Sequence, residues 1–143
     1  MILKPQISTP HTLQAACVQL RKPHTADGVD IDRLIKSCPP LDRNSTYVYL
    51  LLCTHFAQTC IVAHMDNELV GFISAYIHPQ KNNTLFVWQV AVHEKARGLG
   101  VAARMLNELL DRPNLEHIQY VETTVDPDNT ASRRLFEKLA LAH

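Results

Sequence analysis

The chain has 143 residues, 46% of them hydrophobic and 20% charged. That is enough for one domain with a sizeable core, and the composition excludes a disordered chain. Its 14 basic side chains balance its 14 acidic ones, so the formal charge is zero; this argues against polyanionic partners such as nucleic acid and favours a small-molecule substrate.

Residues 1–15 read as a loose arm with two prolines, before a domain over 16–143. Cys17 to Arg21 alternates apolar and polar residues and predicts a first strand, ended by Lys22-Pro23. Thr25-Ala26-Asp27-Gly28 then opens a helix whose apolar positions Val29, Ile31, Leu34 and Ile35 share a face up to Ser37-Cys38-Pro39-Pro40. A second helix over Thr46 to Phe56 follows Leu41 to Ser45, with Asn44 or Ser45 suited to cap it. It is apolar nearly all round, which predicts burial on most sides and requires partners for the Tyr47 and Tyr49 hydroxyls.

Thr59 to His64 and Leu69 to Ile77 read as a hairpin turned by Met65-Asp66-Asn67-Glu68. Thr84 to Val92 is an almost unbroken apolar run, as a strand in the middle of a sheet requires. A helix to about Asp111 follows, then a strand over Ile118 to Val125. Asp126-Pro127-Asp128-Asn129 starts a last helix over Thr130 to Ala142.

The eight histidines are scattered, without HxH or i, i+4 spacing, so no metal site is expected. Cys17, Cys38, Cys53 and Cys60 form no CxxC pair, and Met1 to Pro10 has no apolar stretch of signal-peptide type. Reduced thiols and a cytoplasmic location follow as the expectation. The longest apolar run, Tyr47 to Cys53, is too short to span a bilayer, so no membrane partner is expected.

The segment carrying most information is Gln89-Val90-Ala91-Val92-His93-Glu94-Lys95-Ala96-Arg97-Gly98-Leu99-Gly100-Val101-Ala102. It reads as strand, polar turn, then two glycines at a helix start. Such a start presents unpaired N–H groups and the positive end of the helix dipole, which together cradle a phosphate. The segment lacks the Lys-Ser/Thr of a Walker loop and the three glycines of a dinucleotide fold.

Arg97-x-x-Gly100-x-Ala102 after Val90-Ala91-Val92 resembles the acetyl-CoA pyrophosphate loop of the GNAT N-acetyltransferases. Asn129-Thr130-Ala131-Ser132-Arg133-Arg134-Leu135-Phe136 is similar to that family's segment beside the pantetheine and thiol. Three blocks, Leu41 to Cys53, Thr84 to Val92 and Val125 to Ser132, further resemble the L-2,4-diaminobutyrate acetyltransferases of ectoine biosynthesis. The resemblance runs from about Leu20 to Ala140. It implies an α/β (α+β) GNAT fold, a mixed central sheet flanked by helices, with acetyl-CoA as cosubstrate and an osmoadaptive role. It leaves open a homodimer. Family members normally continue past the last helix into at least one further strand, whereas this sequence stops at Leu141-Ala142-His143, so the last strand is expected to be lacking, which puts part of the substrate pocket in question.

The resemblance also implies the site. Val90, Ala91, Val92, Arg97, Gly98, Leu99, Gly100, Val101, Ala102, Asn129 and Ser132 would bind the cofactor. Asp42, Asn44, Tyr47 and Trp88 would bind the amino acid, whose γ-amine would react. Asp42 would hold an ammonium, and Glu122 or a water chain would take the proton. As ordinary structural alternatives, Asp42 caps a helix, Trp88 and Tyr47 fill the core, and Glu122 faces outward. Many GNAT enzymes place a tyrosine on the last helix as proton donor to the thiolate; the matching Phe136 has none to give, leaving Tyr47 or water. A GNAT enzyme for another small amine or polyamine, and a non-catalytic acyl-CoA-binding module, remain the competing readings.

Overall fold

The computed structural model describes residues 17–142, so the arm expected over residues 1–15 lies outside them. Strand β1 (Gln19–Arg21) is followed by a 3-10 turn (Thr25–Asp27) that runs into α1 (Gly28–Lys36), then by α2 (Thr46–His55). Next come β2 (Ile61–Met65), β3 (Glu68–Ile77) and β4 (Thr84–Val92), then α3 (Val101–Leu110), β5 (Tyr120–Thr123) and α4 (Thr130–Ala142). The strands form one sheet in chain order. β1 to β4 pair antiparallel, and β5 joins β4 in parallel.

The β2–β3 turn is the two-residue kind that the strand twist favours. Asp66 (φ 53°) and Asn67 (φ 63°) both adopt the left-handed backbone that these short polar side chains tolerate. Helices cover both faces of the sheet. On one face, Ile31, Leu34 and Ile35 of α1 and Tyr49, Leu52 and Cys53 of α2 pack with Val62, Phe72 and Ala91. On the other, Met105, Leu106 and Leu109 of α3 pack with Ile61, Ala63, Ile73, Leu85 and Val87, while Leu135, Phe136 and Leu139 of α4 close the edge. Gly71 admits α3 at this closeness, because a Cβ there would lie 2.9 Å from Met105 Cε and 3.1 Å from Ala63 Cβ.

Two burial expectations need correction. Val29 is 55% exposed, because Ile31, Leu34 and Ile35 already turn α1 onto the sheet. Tyr47 is 66% exposed although its helix is apolar all round; α2 buries Tyr49, and a residue two positions away lies about 200° round the axis.

One irregularity in β4 shapes the site. Ala75 pairs with Val87 but Ser74 pairs with Gln89, so Trp88 is an extra residue, a β-bulge. Side-chain alternation reverses across it. Leu85 and Val87 face α3, whereas beyond the bulge Ala91 faces α1 and α2. The pairing of β4 with β5 ends at Val87–Thr123, immediately before the bulge, and the two strands part there.

Candidate active site

Beyond the bulge, β4 keeps a strand neighbour only on the β3 side. The Val92 carbonyl turns the other way, accepting from Arg97 Nε at 3.1 Å and Cys38 Sγ at 3.5 Å. By strand alternation the backbone groups of Val90 face the same opening.

Three cavities follow this opening. The first, about 340 Å³, lies against the start of α3 and is lined by Gly98, Gly100, Val101 and Ala102 with Arg97, Arg134 and Lys138. The second, about 380 Å³, is lined by Val90, Ala91, Val92, Arg97, Ala102, Asn129 and Ser132 among others. The third, about 740 Å³, is lined by Asp42, Tyr76, Phe86, Trp88, Gln89, Asp126 and Asn129 among others. Val92, Arg97, Ala102, Ala131 and Leu135 are common to the first two, and Pro40, Leu41 and Asn129 to the second and third, so the cavities form one groove.

The charge of this groove reverses along its length. Three cations and no carboxylate line the first cavity; two carboxylates and no cation line the third. At the cationic end, Gly98 (φ 80°) and Gly100 (φ 74°) hold left-handed backbone that side chains rarely adopt. A Cβ at either would project into space empty for 4 Å. Gly100 caps α3 with no side-chain hydrogen bond, so side-chain capping leaves the first-turn N–H groups free for an anion. An open cradle of this kind fits the pyrophosphate of acetyl-CoA, and the exposed backbone edge of Val90 and Val92 fits its pantetheine amides.

Asn129 stands at the junction of the second and third cavities, where its Oδ1 accepts the Ser132 N–H at 3.1 Å and caps α4. At the third cavity the structure brings Asp42 and Trp88 together, Trp88 being 40% exposed at the bulge.

Leu99 packs its side chain against the core, and its backbone stays in the loop between the two glycines. Three expected side chains lie outside the groove lining. Asn44 donates to the Tyr49 hydroxyl at 3.5 Å and does not line the chamber. Tyr47 points outward from α2. Glu122 is half-exposed and bonded to Lys81 at 3.3 Å; it does not line the chamber, although its strand pair Phe86 and its neighbour Thr124 on the same face do. Phe136 is on the core side of α4 and lines a separate cavity with Leu115 and Val121.

Sequence reasoning missed Gln89, Ser74 and Asp126. Gln89 is 4% exposed and Ser74 fully buried, and the Gln89 N–H donates to Ser74 Oγ at 3.1 Å. The signal was there: Gln89 is the one amide in the apolar run from Leu85 to Val92. Among the described residues no three metal-ligating side chains come together, and no helix is long and apolar enough to cross a membrane.

The model of the acetyltransferase (GNAT) family matches residues 29–141. The chain belongs to the GNAT acetyltransferases. Within that family it is similar to the L-2,4-diaminobutyric acid acetyltransferase of Bordetella parapertussis, with 49% identity over 95% of this chain and 74% of that protein. The Halomonas elongata protein of the same name is 48% identical over 89% of this chain and 67% of its own length. Among solved structures, the diaminobutyrate acetyltransferase EctA of Paenibacillus lautus, in complex with L-2,4-diaminobutyric acid and coenzyme A, superposes with a TM-score of 0.86 and 43% identity; the match covers 87% of this chain and 75% of that one. Ard1 of Thermoplasma volcanium, at 19% identity and a TM-score of 0.76, shares the GNAT fold.

Proposed function

We propose that this chain transfers the acetyl group of acetyl-CoA to the γ-amino group of L-2,4-diaminobutyrate, giving N-γ-acetyl-diaminobutyrate for ectoine formation. The observation that carries this reading is the reversal of charge along one groove, from a cationic phosphate cradle to an acidic, aromatic chamber, in a chain with such relatives. An anionic donor and an ammonium-bearing acceptor would enter from opposite ends.

Acetyl-CoA supplies an activated thioester; the protein's part is to orient and polarise it. Arg97 and the N–H groups of Gly98 to Ala102 hold the pyrophosphate, while Val90 and Val92 hydrogen-bond the pantetheine along β4. A backbone N–H near Val90 faces the position of the developing oxyanion, a contribution of about 3 kcal/mol in comparable sites. Asp42 holds one ammonium of the acceptor against the wall formed by Trp88. The reacting amine, with an ordinary pKa of about 10, must lose its proton before attack. Since Glu122 pairs with Lys81 and does not line the chamber, Asp126 and water are the better placed acceptors of that proton. Phe136 donates nothing, so the thiolate leaves unaided, as its pKa of about 8.5 permits.

A cytoplasmic enzyme active in osmoadaptation, working as a homodimer, completes the proposal. Four free thiols and the exposed Tyr47 and Phe56 of the α2 region support it. Thiol release from acetyl-CoA in the presence of diaminobutyrate, ornithine, lysine and polyamines is the test. Diaminobutyrate is expected to give the highest kcat/KM. A polyamine giving the highest value would overturn the substrate, and coenzyme A binding without thiol release from any amine would overturn catalysis.

A further inference from the structure

A directed chain of hydrogen bonds ends at the acceptor chamber. Asn44 Nδ2 donates to Tyr49 Oη at 3.5 Å, and that hydroxyl donates to Gln89 Oε1 at 3.3 Å. Gln89 Nε2 then donates to the backbone carbonyl of Asp42 at 2.9 Å. The direction is set by its last acceptor. A carbonyl can only accept, so the amide must present nitrogen to Asp42 and oxygen to Tyr49.

The middle of the chain is buried: Tyr49 is fully so and Gln89 is 4% exposed. A buried amide is costly unless bonded, and an apolar side chain would fill this strand position without that cost. Gln89 therefore has a positional consequence: it fastens the loop bearing Asp42 to the bulged strand bearing Trp88. Its second Nε2 hydrogen has no protein partner among the described residues, and the side chain lines the chamber.

We infer that Gln89, backed by Tyr49, is a positioning residue for the acceptor, holding the Asp42 carboxylate where it meets the substrate's ammonium. This inference rests on the function proposed above. Gln89 does not touch the donor cradle, so its effect falls on the amine alone.

Steady-state kinetics with both substrates varied test it on Gln89→Met, Gln89→Glu and Tyr49→Phe, alongside calorimetric titration with coenzyme A. Gln89→Glu keeps the size and the acceptor for Tyr49 but loses the N–H for Asp42. Both Gln89 variants are expected to raise the KM for diaminobutyrate about tenfold, with the KM for acetyl-CoA and the coenzyme A affinity within about twofold. Tyr49→Phe keeps the bond to Asp42 and is expected to raise the amine KM only about threefold. An amine KM within about twofold in folded Gln89 variants, or equal rises for both substrates, would overturn the inference. If the Gln89 variants melt below the assay temperature, Tyr49→Phe decides alone, and an unchanged amine KM there overturns it. No turnover of diaminobutyrate by the unsubstituted chain overturns the parent function as well, which keeps the two failures distinct.

Discussion

Gly100 concentrates the demands of the donor cradle in a single residue. Its φ of 74° costs an L side chain about 1–2 kcal/mol, and the space beyond it is open, as the proposed pyrophosphate site requires. Gly100→Ala is therefore expected to lower the melting temperature modestly and to raise the KM for acetyl-CoA about tenfold, leaving the amine KM unchanged; paired kinetics and melting curves check this. The legibility of single residues varied for physical reasons. Asp42 and Trp88 line one chamber. Tyr47 does not, because an all-round apolar helix gives no clue to its buried side and α2 turns Tyr49 inward instead. Glu122 is a carboxylate between Val121 and Thr123, and its partner Lys81 lies far off in sequence, on the loop before β4. Gln89 passed unread because its bonds reach Tyr49, Ser74 and Asp42, contacts that only the fold creates.

At the scale of elements, β1, the 3-10 turn and β2 are joined by an ionic clamp. Arg21 bonds both oxygens of Asp27, at 2.8 and 2.9 Å, and its Nη2 lies 3.4 Å from His64 Nε2. Burial opposes the Asp27 charge, yet the bonds from Arg21 and the His24 N–H outweigh it and hold the carboxyl below its usual range. Burial, then the Arg21 charge, push His64 down. Both shifts make acid destabilising. Below about pH 6.5 the unfolded chain protonates its His64 before the folded one does, and below about pH 4 the Asp27 contribution is lost as well. Melting temperature is thus expected to be level between about pH 7 and 8 and to fall in two stages below that, with His64→Gln erasing the first. Close packing yields a second expectation. Gly71→Val would force Met105 and Ala63 apart and destabilise the fold by about 1–3 kcal/mol, measurable by denaturant unfolding. The bounds of β4 and α4 were read correctly from composition and turn residues. The bulge at Trp88 was not, because an apolar run with no alternation has no phase for an extra residue to disturb.

At the scale of the molecule, the order of strands and helices was legible, since each change of period is marked by a turn or cap. Its closure was not. That β5 lies parallel to β4, and leaves it after Val87, depends on where α3 returns the chain, which no local pattern records. From that parting comes the groove, and from the groove its opposed charges.

The parted strands also affect how long the folded chain persists. A sheet unzipped along half of one strand has amide edges that its own backbone does not satisfy, and the pantetheine of acetyl-CoA can act there as a removable sixth ribbon. A ligand that binds only the folded form at 100 times its dissociation constant adds about 2.7 kcal/mol to stability. Melting temperature should therefore climb with coenzyme A concentration, and amide exchange at Val90 and Val92 should slow in parallel; invariance of both would argue against it. Turnover and survival of the folded state would then draw on the same metabolite pool, with acetyl-CoA shortage making the protein more open to proteolysis while it slows the reaction.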